Sequence, residues 1–274
     1  MTYGETDELS FGGEREPWLR TWAAAHRRLL AITVAAAVAL TGLGTGGWYL
    51  YQQSLLPSPP PDVALPPMLG FIVQLCLKEH PSCTAGTIDQ VAALVHEIPE
   101  VASSAVVTPE EILARTSETS IGGENPAWTW PARIDGKVHR AADFEAVRRQ
   151  LAGKPGVVDV QRSSENFWKG TADLQVNLCG LSRTLAACRN GAATDAQRDA
   201  VVARLREQDG VQEVFLQDRA FGLRLIKHYY PEQYLTINDV PERLYARLDD
   251  PAKARAAGQA MLGVPGVESA NLIR

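Results

Sequence analysis

A constant shift of 110 residues lays much of the C-terminal half of this 274-residue chain over the part before it. A duplication of that length dictates the architecture before any single element does. Thr84 falls on Thr194, Asp89 on Asp199, Val91 on Val201, Ala93 on Ala203, Val101 on Val211 and Leu113 on Leu223. The tail matches more closely: Pro131 meets Pro241, Arg133 meets Arg243, Ala142 meets Ala252, and the run from Gly153 to Val157 meets that from Gly263 to Val267. Before Thr84 the offset is smaller, because the second cysteine loop is longer and more linker precedes it. Each copy still opens with an apolar run into a cysteine, Phe71 to Cys76 and Leu174 to Cys179.

Within a copy the hydrophobic period alternates between strand and helix. Residues 70 to 76 read as a strand, 86 to 98 as a helix with Val91, Leu94, Val95 and Ile98 on one face, and 101 to 107 as a second strand. After a variable stretch, 130 to 138 reads as a third strand, 141 to 152 as a helix through Phe144, Val147 and Leu151, and 157 to 161 as a last strand. The second copy repeats the pattern, with helices near 194 to 208 and 251 to 262. Strand-helix-strand twice over predicts an α+β fold, two ferredoxin-like (βαβ-βαβ) modules with helical inserts, each a four-stranded sheet with two helices on one face.

Upstream of the repeat, Leu29 to Tyr51 contains no charged residue. At about 1.5 Å per residue a helix of that length covers the ~30 Å hydrocarbon core of a bilayer. Arg20, Arg27 and Arg28 precede it and the next basic residue is Lys78, so the charge asymmetry holds the N-terminus in the cytoplasm and sends the rest across the plasma membrane. Trp48, Tyr49 and Tyr51 suit the outer headgroup layer. The acidic segment with Glu5, Asp7, Glu8, Glu14 and Glu16 is long for a signal-peptide n-region, which favours a retained anchor over a cleaved leader or a buried helix. Gly42 and Gly46 either let a second copy approach, giving a homodimer through this helix, or are simply tolerated glycines. Residues 57 to 67 hold six prolines in eleven positions, a composition for an extended stalk with no core of its own. The predicted division is 1–28 cytoplasmic tail, 29–51 transmembrane helix, 52–69 stalk, 70–162 first module, 163–172 linker and 173–274 second module.

A net charge of -5 offers no basic surface for phosphates, which argues against a nucleic-acid partner. Four cysteines fall into two local pairs, Cys76 with Cys83 and Cys179 with Cys188, an even count suited to disulfides in an oxidising compartment. Zinc is the competing reading because His80 lies in the first loop, but the second loop has no histidine, so no metal is expected. His26, His80, His96, His139 and His228 match no zinc-protease helix, nucleophile elbow or triad spacing, and no phosphate-cradling glycine loop is present. The sequence therefore predicts a protein without catalytic residues or cofactor.

The order of features resembles the extracellular domain of the FtsX family of permease-like cell-division proteins. It comprises an apolar strand into a cysteine pair, a helix, Pro99-Glu-Val101 or Gly210-Val-Gln-Glu-Val214, and a helical insert. The run from Val240 to Pro251 and the closing segment Val264 to Ala270 complete it. The resemblance covers about 70 to 162 and again 173 to 274. It implies an extracellular domain that engages peptidoglycan hydrolases or their adaptors. A full-length member has four membrane helices where this chain presents one, so the expectation is a tandem of the extracellular modules without the permease.

Asp218 to Tyr234 is the most aromatic segment past the membrane, and Phe221, Leu225 and Tyr229 recur at four-residue spacing as one helix stripe. Such a stripe is either core or contact surface. The equivalents in the first copy, Glu111, Arg115 and Thr119, are polar, and the resemblance places a partner-facing lobe here. Phe221, Leu225, Tyr229 and Tyr230 are therefore the candidate partner-binding residues, with Trp128 and Trp130 either capping the first insert or stacking on a sugar ring. The reading is a membrane-anchored scaffold that docks an envelope protein. The rival is a sensing receptor whose inter-module cleft takes a small ligand; a groove of convergent polar groups would favour it.

Overall fold

The computed structural model describes His26, Ile32 and residues 56–122, 131–181, 186–231 and 233–274, and residues 56–274 form one compact unit. The first copy opens with β1 (Gly70–Leu75), whose alternation buries Phe71, Val73 and Leu75. It continues with α1 (Ile88–His96), β2 (Val101–Val107), α2 (Pro109–Thr119) and the two-residue β3 (Ser120–Ile121). After these come β4 (Arg133–Val138), α3 (Phe144–Leu151) and β5 (Val157–Ser163). Four strands form a sheet in the order β2-β4-β1-β5 with every neighbouring pair antiparallel. The register sets Val73 opposite both Ile134 and Val160, so one buried row crosses the sheet beneath α1 and α3.

The second copy supplies β6 (Leu174–Leu178), α4 (Asp195–Arg206), β7 (Val211–Gln217) and α5 (Arg219–Tyr229), then β8 (Arg243–Leu248), α6 (Ala254–Met261) and β9 (Val267–Leu272). Its sheet has five strands, β3-β9-β6-β8-β7. The α+β class is as expected, while the second sheet carries a fifth strand beyond the four predicted, because β3 of the first copy joins its edge. In the turn before each last strand, Gly156 (φ 86°) and Gly266 (φ 89°) take left-handed conformations that L side chains rarely adopt, which is why the Pro-Gly-Val run repeats.

The offset of 110 does not hold through the first helix. Thr87 and Thr194 are the matching N-caps, each in a capping box with a glutamine three residues on, while Glu97 and Glu207 are the matching C-caps. The N-caps are thus 107 apart and the C-caps 110, so α4 carries nearly one extra turn, 12 residues against 9. Aligning Thr84 with Thr194 is corrected accordingly: a gap-free shift cannot see a turn added inside a helix.

Strand β3 belongs by sequence to the first copy but pairs with β9 of the second, Ile121 opposite Ala270. Ile121, 2% exposed, joins the second core with Leu174, Met261 and Ala270. A Cβ on Gly258 would strike its side chain, so α6 is kept small where the insert crosses. Arg255 donates to the Glu118 and Ser120 carbonyls at 2.6 and 3.2 Å, and Arg274 pairs with Glu118 at 3.1 Å. The two modules are interlocked.

The proline-rich segment is also more than a free stalk. Ser58 bridges Phe215 in parallel: its N–H donates to the Val214 carbonyl and its carbonyl accepts from the Leu216 N–H, both at 2.8 Å. Leu65 packs on an aromatic cluster of the second copy and Met68 is buried. A serine between prolines keeps the one N–H that a strand edge can use, so the extended backbone docks there. The predicted transmembrane helix, 29–51, lies outside the described residues apart from Ile32; among the described residues no helix is long and apolar enough to cross a membrane.

Candidate functional site

The two sheets turn different faces away from their helices. In the second copy that face carries Phe215 and Tyr245, and it is covered by Phe167, Trp168 and Ala172 of the linker and by Phe221 and Leu225 of α5. Trp168 stacks on Tyr245 with ring centroids 4.0 Å apart, meets Phe167 edge-on at 5.3 Å, and donates from Nε1 to Gln217 Oε1 at 3.0 Å. In the first copy the matching positions are Ala105 for Phe215, Asp135 for Tyr245, Glu111 for Phe221 and Arg115 for Leu225. Arg115 reaches Asp135 at 3.8 Å, so an exposed ion pair stands where the second copy has an apolar contact.

Phe221 and Leu225, expected on a partner-facing surface, are 8% and 6% exposed and belong to this aromatic core. The stripe is buried because α5 is N-capped by Asp218 and laid against the linker, which hides its apolar face. Tyr229, at the end of the stripe, is half-buried and its hydroxyl donates to the Glu165 carbonyl at 3.4 Å. Tyr230 is 48% exposed. Beyond it the chain runs to β8 with Tyr234 fully exposed and Ile237 47% exposed, two residues that no hydrophobic period marks in the sequence. Trp128 and Trp130 lie outside the described residues.

Beneath α5 a cavity of about 420 Å³ opens between the outer faces of the two sheets. Arg243, Gln175, Gln217 and Tyr245 of the second sheet line one side, with Trp168 and Tyr229 beside them. Burial pushes the Tyr245 hydroxyl up to about 12, against the pull of Arg243, and also raises Tyr229, so both remain protonated at neutral pH and can donate. Neither Arg243 nor Gln217 stands out in the sequence; the repeat marks the arginine only as the partner of Arg133.

Both cysteine pairs form disulfides, Cys76–Cys83 and Cys179–Cys188. His80 in the first loop shares a 2.8 Å hydrogen bond with Ser82 Oγ. Among the described residues no group of three or more His, Cys, Asp or Glu side chains is placed to hold a metal ion.

No family model matches the chain, and no curated protein does. Among solved structures it is similar to the crystal structure of extracellular domain 1 of FtsX from S. pneumonie in complex with undecyl-maltoside. The identity is 12%, the match covers 37% of this chain and 99% of that one, and the TM-score is 0.26, too low to establish a shared fold.

Proposed function

We propose that this chain is a non-enzymatic, membrane-anchored docking protein that presents two ferredoxin-like modules, of the kind found outside the membrane in the FtsX family, to an envelope partner. Residues 29–51 span the plasma membrane with the N-terminus in the cytoplasm. The partner is a peptidoglycan hydrolase or its adaptor. Supporting this are the sequence resemblance and two disulfides, which suit an oxidising exterior.

The observation that carries the reading is the loop between α5 and β8. It holds Tyr230, Tyr234 and Ile237 in water within eight residues, beyond the buried part of the α5 stripe. Each such side chain releases about 1.5 to 3 kcal/mol when a partner fully buries it, and aromatic anchors ringed by polar residues are where binding energy concentrates. The corrected contact set is therefore Tyr230, Tyr234 and Ile237, with Tyr229 at its base.

The test is affinity capture from envelope extract with the full chain and with the Tyr230→Ser, Tyr234→Ser, Ile237→Ser variant. Recovery of a wall hydrolase or its adaptor by the native chain, lost in the variant, supports the reading. Equal recovery by both, or a C-terminal portion spared when protease is added to intact cells, overturns it.

A further inference from the structure

The duplication supplies an internal control for one charge. Arg133 and Arg243 occupy the same place at the start of β4 and β8. In the first copy the arginine is matched two residues along its strand. Arg133 Nε stands 2.8 Å from Asp135 Oδ1, off the hydrogen-bonding axis, and Nη2 donates to Oδ2 at 3.2 Å. In the second copy Tyr245 replaces that aspartate. Arg243 has no carboxylate partner among the described residues; its guanidinium bears on the Tyr245 hydroxyl, and its buried Nε–H meets no acceptor. A guanidinium is always protonated, and a half-buried one with an unmet Nε–H is left with a donor that a ligand oxygen can satisfy.

The other charges on the wall are already paired. Arg162, also on the cavity wall, already pairs with Glu145 at 3.1 Å. The one carboxylate lining the cavity, Glu165, is engaged by Lys137 at 3.5 Å. Gln217, 2% exposed, accepts from Trp168 Nε1, which leaves its Nε2 donors to offer. Tyr245 and Tyr229 stay protonated. The wall thus sets two guanidinium groups against one carboxylate, among aromatic rings, in about 420 Å³ of space that takes a molecule of one or two rings.

We propose that this cavity binds a small carboxylate with a ring-sized body, the carboxylate pairing with the Arg243 guanidinium and the ring lying among Trp168, Tyr245 and Tyr229. The cavity adjoins the exposed loop, with Tyr229 and Tyr230 on its wall, but carboxylate binding rests on Arg243 and not on docking at the loop. With Tyr245 in the place of Asp135, the second copy's guanidinium is available to a ligand's carboxylate, the group whose two oxygens fit a guanidinium's paired donors.

The experiment uses the full chain in a detergent without a sugar headgroup. Glucuronate and benzoate are titrated by calorimetry, with glucose and benzyl alcohol as uncharged counterparts. The expected result is binding of at least one carboxylate and neither counterpart. Arg243→Met, which keeps the aliphatic stem, should weaken it at least about tenfold, and Arg243→Lys less. If Arg243→Met fails to fold, the Arg243 Nε–H resonance of the native chain decides, by shifting with the bound carboxylate and not with its counterpart. No binding of either carboxylate in the millimolar range, equal binding of an uncharged counterpart, or affinity unchanged in Arg243→Met overturns the proposal.

Discussion

Ile121→Ala removes three carbons from a side chain that belongs to the first copy by sequence and to the second by packing. At about 0.8 kcal/mol per buried carbon the transfer loss is ~2.4 kcal/mol, and the cavity left against Gly258 and Leu174 raises it to about 3 kcal/mol. That is roughly a hundredfold in any opening equilibrium the side chain restrains. Hydrogen exchange followed by mass spectrometry on the full chain locates the loss. Peptides covering β6 and α6 should exchange roughly a hundredfold faster, and those covering β1 and α1 should change less. Acceleration confined to β1 and α1, with α6 unaffected, would refute the assignment of this insert to the second core.

Trp168→Phe leaves the buried Gln217 carbonyl without its donor and should cost about 2 to 3 kcal/mol in urea unfolding; a cost near zero would mean the hydrogen bond is not made. Because burial raises the Tyr245 hydroxyl from its ordinary value to about 12, its contribution is whole below about pH 10 and is lost as pH climbs from 10 to 12. The native chain should shed about 2 to 3 kcal/mol over that window and Tyr245→Phe correspondingly less, read from urea midpoints at stepped pH. Replacing Cys179 and Cys188 by alanine opens a loop closed across nine residues and should lower stability by about 2 to 3 kcal/mol, visible as a lower melting temperature.

The alternation of periods in the sequence marked the strands and core helices to within a few residues, because each element buries one face and so writes its own period. Val73, Ile134 and Val160 are legible in that way. The two cysteine pairs were legible because they are local. What escaped depends on partners far along the chain. Phe221 and Leu225 sit at a spacing that says only that something covers them, and nothing local identifies Phe167 and Trp168, some fifty residues upstream, as the cover. The pair Ser120–Ile121 is too short to show a period at all, and the added turn in α4 is invisible to a constant shift. The repeat marks Arg243 as the match of Arg133 and Tyr245 as the match of Asp135, but that Arg133 and Asp135 pair, and that no carboxylate among the described residues reaches Arg243, depends on the fold.

The clip of Ser58 on β7 has a mechanical consequence. The chain enters this unit beside its sequence-last module, so tension arriving from upstream of Leu56 meets the Arg206 guanidinium on the Leu56 carbonyl and two main-chain hydrogen bonds on the edge of β7 before it reaches β1. Those contacts lie at the edge of the second sheet and outside both module cores, so a pull on the incoming chain loads them ahead of either core.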